Sequence, residues 1–225
     1  MNGLSKFVAF DLEFHEAPNG IQILCAASMS TDDAVPFVWF DNDNGHIADS
    51  LSEYTLANFV QFLMSKVNEG FCIVTWGGVG ADFRHLCKLL PGLASEIKTL
   101  CLNSVDVPFA SGSSIGMMMG LGSAAQALGI GKKTNDSATI PSLWTSSRHE
   151  VLQHVSTDTY LTVAVVRNAI AHNELHWITS RGIRKTWCPA KLVTVRACLQ
   201  MPLPNVPFQL QDCMNPKMLS RWILD

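Results

Sequence analysis

Two acidic residues interrupt an otherwise apolar stretch near the start of the chain. Asp11 and Glu13 lie in KFVAFDLEF (residues 6–14), whose large apolar side chains are typical of a central strand buried on both faces. Because one residue separates them, both carboxylates would leave the same face of that strand. Burying them costs several kcal/mol each unless a buried arginine or a metal ion compensates their charge. An ion pair, or a strand end that reaches solvent, is the simpler alternative.

A third carboxylate, Asp82, follows a second apolar strand and a glycine turn. The segment FCIVTW (71–76) leads into GGVGADF (77–83), and Asp82 stands where a helix begins. There it can cap the helix, or face the end of the sheet. The glycines resemble a phosphate-binding loop, but they lack the lysine and hydroxyl of a P-loop and the spacing of a dinucleotide fingerprint. We therefore expect no nucleotide cofactor.

A histidine and a fourth carboxylate are spaced to share one face of a late helix. His154 and Asp158 are four residues apart in the stretch that begins at Arg148. A surface pair is the alternative for this spacing alone. The order along the chain changes the interpretation, because D-x-E on an early strand is followed by Asp after a later strand and His-x-x-x-Asp on a late helix. In this order, three signals that are weak on their own become one fairly specific signal.

The elements that must position these residues alternate between strands and helices. After the first strand, IQILCAASM (21–29) and VPFVWF (35–40) predict two more strands of an antiparallel meander. Apolar residues at helical spacing in YTLANFVQFLMSKV (54–67) predict a helix that ends by Gly70. A further helix after Asp82 should stop at Pro91. This alternation predicts an α/β or α+β sheet.

The second half of the chain is predicted to be mainly helical. Residues 103–139 are rich in Gly, Ser and Met, so we expect short, irregular helices and a flexible loop around residues 129–139. Apolar periodicity predicts a long helix from Arg148 to about Thr179. The prolines beyond it are typical of irregular chain. We therefore divide the sequence into a domain over residues 1–180 and an irregular tail, residues 181–225, packed on that domain.

Composition is typical of a folded protein without an obvious polyanion-binding surface. The 225 residues are 48% hydrophobic and 16% charged, with mean hydropathy +0.18, which fits one sizeable domain. Seven scattered cysteines without a C-x-x-C pair argue against disulfides and zinc, so we expect a cytoplasmic protein. No apolar run is long enough to cross a membrane. A net charge of −3 weighs against nucleic acid unless bound cations offset it.

The motifs resemble those of the DEDD superfamily of 3′-to-5′ exonucleases over roughly residues 6–170. That superfamily carries a D-x-E motif, a second Asp motif, and either Tyr-x-x-x-Asp or His-x-x-x-x-Asp. TWGGVGADFRHL (75–86) resembles the second motif and RHEVLQHVSTDTYLTVAV (148–165) the third, with residues 106–133 resembling the helical region between them. Together they resemble the predicted prokaryotic exonuclease-like proteins. The resemblance implies an α/β ribonuclease-H-like fold, with a central mixed sheet flanked by helices.

Two positions depart from the family pattern. The second motif usually has Asn where this chain has Gly77, and the tyrosine class usually has Tyr where this chain has His154. Loss of the Asn amide would remove a hydrogen bond to substrate without affecting the metal ligands. The chain thus combines the spacing of the tyrosine class with the base of the histidine class, while all four acids are present.

The resemblance implies two-metal hydrolysis of a single-stranded or frayed 3′ end of nucleic acid. Two ions about 3.5 to 4 Å apart would flank the scissile phosphate, and oxygen ligands favour Mg²⁺ or Mn²⁺ over zinc. Asp11 would bridge the ions, Glu13 and Asp158 would hold the nucleophile-side ion, and Asp82 the other. His154 would orient or deprotonate the attacking water. The expected substrate-binding residues are Leu12, Phe14, Gly77, Gly78 and Phe83.

Two other functions remain open. One is a nucleic-acid-binding or structural module with the same fold and weakened catalysis, suggested by Gly77, His154 and the absence of a basic surface. The other is a phosphohydrolase acting on nucleotides. The sequence leaves the oligomeric state open.

Several signals outside the acidic site are weaker. His172 and His176 have zinc-like spacing for a helix but lack a third ligand. RGIRK (181–185) could bind phosphate, although a solvated turn is the simpler interpretation. Trp76 is interpreted as a core residue rather than a platform for bases.

Overall fold

The structure is a computed structural model that describes residues 4–17, 20–131, 139–189, 192–202, 204 and 216–224. Its strands, in chain order, are β1 (Phe7–Ala17), β2 (Gly20–Ser30), β3 (Phe37–Trp39), β4 (Asn42–Asp43), β5 (His46–Ile47), β6 (Cys72–Thr75), β7 (Val105–Asp106), β8 (Leu175–Ile178) and β9 (Arg184–Trp187). Its α-helices are α1 (Glu53–Asn68), α2 (Asp82–Leu89), α3 (Ala94–Asn103), α4 (Val107–Ile115), α5 (Leu121–Leu128), α6 (Ile140–Ser146), α7 (Arg148–His172), α8 (Val195–Leu199), α9 (Pro216–Leu219) and α10 (Arg221–Leu224).

Five strands form a mixed sheet in the order β3-β2-β1-β6-β7. The first three strands are antiparallel, as the sequence predicts, whereas β6 pairs parallel to β1 and β7 pairs parallel to β6. β1 is therefore central, which explains why its sequence is apolar on both faces. The register between β1 and β2 shifts between Glu13 and Phe14, so a bulge re-aims the chain next to the D-x-E motif.

Helices cover both faces of this sheet. On one face, Phe10 of β1 packs edge-on against Phe59 of α1 and Phe83 of α2, with ring centroids 5.4 and 5.1 Å away. On the other face, α6 and α7 pack against β1 and β2, where Cys25 and Ala27 join the core. Cys25 and Ala27 are also the β2 partners of Glu13 and Asp11. The two acids of β1 therefore lie on the face that α7 covers.

The long helix is shorter than the sequence pattern predicts. Helix α7 ends at His172 instead of near Thr179, because Asn173 adopts a left-handed conformation with φ 56°. The chain then forms the hairpin of β8 and β9, which turns through Gly182 at φ 75°. His172 and His176 consequently lie on different elements and do not share a helical face.

The segment before α7 contains short helices, as predicted. α4 and α5 have nine and eight residues, and the predicted loop at 129–139 falls largely on residues 132–138, outside the described residues. None of the helices described is long and apolar enough to cross a membrane. All six cysteines within the described ranges are free thiols.

The described part of residues 181–225 contains secondary structure. It includes β9 and the short helices α8, α9 and α10. α8 packs on α3 and α4, and the indole Nε1 of Trp222 in α10 donates to the carbonyl of Val79, 2.9 Å away. The predicted division at residue 180 stays a prediction, and Pro207 of the tail lies outside the described residues.

Candidate active site

Three of the four predicted acids line a single cavity of about 270 Å³. β1 contributes Asp11 and Glu13, and Asp82 is the first residue of α2. The remaining lining residues are Leu12, Phe14, Trp76, Gly77 and Ala81. The parallel pairing of β1 with β6 places the chain that follows β6 beside the D-x-E motif, so residues far apart in sequence meet here.

His154 connects this cavity to the fourth acid. Its Nε2 atom lies 3.4 Å from Oε1 of Glu13 and 3.7 Å from Oδ2 of Asp158. His154 is fully buried, and Asp158 is only 3% exposed. The helical spacing of four residues puts both side chains on the α7 face that packs on the sheet, as the sequence predicts. All five predicted catalytic residues therefore belong to one connected group.

The carboxylates of this group create a negative electrostatic potential in a largely buried part of the protein. Glu13 and Asp82 are 7% and 5% exposed, so their carboxylates are largely removed from water. Cys25, paired with Glu13 across β1 and β2, is also affected by this field. Burial raises the pKa of the Cys25 thiol, and the nearby carboxylates of Glu13 and Asp11 raise it further. Cations are therefore favoured in this cavity, and phosphate alone is not.

The donor set fits a hard divalent cation by its chemistry. Asp11, Glu13 and Asp82 offer carboxylate oxygens around one cavity, the ligands that Mg²⁺ and Mn²⁺ prefer. Among the residues that the structure describes, no three His, Cys, Asp or Glu side chains already stand close enough to hold an ion. Ion binding would therefore require the carboxylates to turn toward one another.

Backbone conformation and lack of space favour glycine at two positions of the turn before Asp82. Gly77 has φ +98°, a conformation that L side chains rarely adopt, so a larger residue here would strain the turn. A Cβ atom on Gly78 would lie 2.8 Å from Cβ, Cγ2 and Oγ1 of Thr75. Hydrogen bonds from Gly80 N to Gly77 O (3.1 Å) and from Phe83 N to Gly78 O (3.0 Å) close the turn. We call residues 76–81 the glycine loop.

Sequence reasoning missed a fifth acid that organises this loop. Asp106, at the end of β7, is 1% exposed, and its Oδ2 accepts hydrogen bonds from Thr75 Oγ1, Gly77 N and Val79 N at 3.0, 3.0 and 3.1 Å. Its Oδ1 accepts from Phe109 N at 2.9 Å and so caps α4. The position of Asp106 just before Val107-Pro108 is a helix-start signal that could have indicated the cap.

The predicted substrate-binding residues have different environments. Leu12, Phe14 and Gly77 line the cavity, whereas Phe83 is fully buried in the core against Phe10. Gly78 is buried beside Thr75. Trp76, interpreted from sequence as a core residue, is half-buried on the cavity wall, and its Nε1 donates to the carbonyl of Met119 at 2.8 Å.

The second histidine pair lies outside this site. His172, Glu174, His176 and Arg184 help to line a surface cavity of about 340 Å³. His176 Nε2 lies 3.3 Å from Glu174, and its Nδ1 lies 2.9 Å from Thr186 Oγ1. Within the described ranges these groups do not form a set that could hold a metal ion.

The comparisons with known proteins show the fold. No family model matches the chain, and no curated protein matches it. Among solved structures, the chain is similar to a family B DNA polymerase from the hyperthermophilic archaeon Pyrobaculum calidifontis, with a TM-score of 0.55 and 15% sequence identity. The match covers 73% of this chain and 24% of the polymerase chain, so this protein spans about a quarter of that structure. The predicted α/β, ribonuclease-H-like fold, a central mixed sheet flanked by helices, is confirmed.

Proposed function

We propose that this protein is a metal-dependent exonuclease that hydrolyses nucleic acid from a 3′ end. One observation carries the proposal: Asp11, Glu13 and Asp82 line one cavity, and His154 links Glu13 to Asp158. The fold similarity to part of a DNA polymerase supports a nucleic-acid substrate. The reaction would add water across the terminal phosphodiester and release a nucleoside 5′-monophosphate.

The negative charge of the site makes the proposed activity depend on cations. A phosphodiester would be repelled by the buried carboxylates that also raise the pKa of Cys25. Two divalent ions, held by Asp11, Glu13, Asp82 and Asp158, would neutralise the phosphate charge and activate water for attack. Chelation should therefore abolish both substrate binding in the cavity and cleavage.

His154 would act mainly by orienting its neighbours. Its ring is fully buried, and Nε2 lies within 3.7 Å of an oxygen of both Glu13 and Asp158. A proton held at Nε2 would fix the direction of these two carboxylates, on which the attacking water depends. Burial makes this orienting role the better supported of the two roles that the motif implies.

The shape of the cavity favours one terminal nucleotide. Its volume of about 270 Å³ lies just below the usual range of ligand pockets, which suits one nucleotide rather than a duplex. Leu12, Phe14 and Trp76 supply an apolar and aromatic wall on which a base can stack. We therefore propose single-stranded or frayed 3′ ends as substrates.

The test uses single-stranded DNA and RNA oligonucleotides labelled at the 5′ or the 3′ end, with purified protein and Mn²⁺, Mg²⁺ or chelator. A stepwise ladder from the 5′ label, with immediate release of a mononucleotide from the 3′ label, is the expected result. D82N should lack the activity, and D41N should retain it, because Asp41 accepts hydrogen bonds from Ser52 N and Thr55 Oγ1 at the start of α1 and does not line the cavity. Equal cleavage by wild type and D82N would identify a contaminant and contradict the proposal.

A binding module with weakened catalysis is the second candidate, because Gly77 replaces the Asn amide of the resembled motif and its φ of +98° disfavours that side chain. The same preparation distinguishes the two functions. Retained binding of a 3′-ended oligonucleotide without any shortening, at every ion concentration tested, would favour the module.

A further inference from the structure

We propose that Asp106 is a positioning residue that holds the glycine loop, and through it Asp82, in place for the reaction. The inference rests on the proposed function for its catalytic consequence. Asp106 does not line the cavity, so it would act through the backbone that carries Asp82 and not by touching substrate.

The two carboxylate oxygens of Asp106 accept hydrogen bonds from different parts of the chain. Oδ1 accepts from Phe109 N and caps α4, whereas Oδ2 accepts from Thr75 Oγ1, Gly77 N and Val79 N. One carboxylate therefore joins the end of β6, the glycine loop and the start of α4. Three of the four partners are backbone N–H groups, which can only donate, and they lie on both oxygens. A side chain with a single acceptor oxygen therefore cannot satisfy both sides.

The loop transmits this position to Asp82. Gly77, which donates to Asp106, accepts from Gly80 N, and Gly78 O accepts from Phe83 N, the residue after Asp82. Ala81, at the N-cap of α2, has no polar side chain with which to fix the start of the helix. The hydrogen bonds from Gly77 and Val79 to Asp106 therefore restrain the segment that leads directly into the uncapped first turn of α2.

Because Asp106 is buried, water cannot replace a hydrogen bond that its carboxylate loses. Burial raises the pKa of Asp106, while its four hydrogen bonds act in the opposite direction and stabilise the charged form. Replacing one carboxylate oxygen by the NH2 group of Asn leaves at least one backbone N–H without its acceptor, and such groups favour local rearrangement. A shift of about 1 Å in a positioned group can lower a rate about 100-fold.

The experiment compares wild type, D106N and D41N. Asp41 is a matched control, because it also accepts from a backbone N–H and a threonine hydroxyl at a helix start, but away from the cavity. The measurements are kcat and KM for a 5′-labelled oligonucleotide with Mn²⁺, and hydrogen exchange of the peptide covering residues 76–83. We expect D106N to lower kcat about 10- to 100-fold and to speed exchange in that peptide. D41N should lose stability with kcat unchanged.

Thr75→Val keeps the proposal testable if D106N does not fold. It removes one of the three donors to Oδ2 and should give a smaller decrease in kcat with a smaller increase in loop exchange. Wild-type kcat in whichever of the two variants folds, or unaltered exchange of residues 76–83, would overturn the proposal. If wild-type protein does not cleave, the proposed function fails, and loop exchange in D106N still decides whether Asp106 holds the loop.

Discussion

The Nε2 atom of His154 lies 3.4 Å from Oε1 of Glu13, so a polar contact joins a late helix to the first strand of the sheet. The contact lies inside the packing of α7 on β1, where His154 is fully buried. Asp158 extends it to a third side chain at 3.7 Å. The role of His154 can therefore be tested by substitutions that keep or remove a hydrogen-bond donor at this position.

Replacing His154 should separate orientation from proton transfer. H154Q keeps an amide donor close to the place of Nε2 and should lose about 10-fold in kcat, whereas H154F offers no donor and should lose about 100-fold or more. Both values are to be measured by oligonucleotide shortening at saturating Mn²⁺. Equal and complete loss in both variants would indicate that the histidine acts as a base and not as an orienting group.

Ion binding should appear in stability as well as in activity. If Mn²⁺ binds the folded cavity, the melting temperature of wild type rises with ion concentration, by mass action on the folded state. D82N should melt higher than wild type in chelator, because it relieves repulsion between buried carboxylates, and should respond less to Mn²⁺. D41N is the control and should keep the wild-type response. Identical Mn²⁺ responses in wild type and D82N would exclude Asp82 as a ligand.

Much of the fold could be predicted from local sequence pattern. The same patterns point to the residues that could carry chemistry. The antiparallel opening, the helix of residues 53–68 and the shared face of His154 and Asp158 all follow from apolar periodicity, which the structure confirms. Such patterns depend only on neighbours in the chain. The convergence of β1 and α2 on one cavity followed from the family resemblance and not from periodicity.

What could not be predicted depends on contacts between distant segments. The partners of the Oδ2 atom of Asp106 are two backbone amides and a hydroxyl on β6 and the glycine loop, and nothing near Asp106 in sequence indicates them. The end of α7 depends on the left-handed conformation of Asn173 and on a hairpin partner beyond it. Phe83 is an expected substrate-binding residue, but it is fully buried in the core against Phe10.

Stability should decrease in mild acid because of His85. This side chain is 5% exposed and packs on Phe14, with ring centroids 4.2 Å apart. Burial lowers its pKa, and Lys88 and Arg84 lower it further against the opposing effect of Glu16. The unfolded chain, whose histidines titrate near about 6.5, therefore takes up the proton first. The contribution of His85 to stability is present above that pH and is lost as pH falls towards the lowered value.

The check is urea unfolding at about pH 7.5 and pH 5.5. The free energy of unfolding of wild type should fall over this interval by more than that of H85F, which has no proton to take up. H149Q provides a control at an exposed histidine in the first turn of α7, and should follow wild type. Parallel losses in wild type and H85F would show that other groups control the acid response.

The glycine loop offers a matched pair of substitutions that differ in available space. Gly78→Ala would place a methyl group 2.8 Å from the side chain of Thr75, which is itself buried and hydrogen-bonded to Asp106, so neither residue can move freely. We expect a loss of about 1 to 3 kcal/mol in unfolding free energy, typical of overpacking, together with lower kcat because the loop carries Asp82. Gly80→Ala meets only the carbonyl of Gly77 at 3.7 Å, an ordinary contact, and should change both quantities little. Urea unfolding and oligonucleotide shortening measure the two effects, and a Gly78→Ala protein as stable and active as Gly80→Ala would contradict the close approach of Gly78 to Thr75.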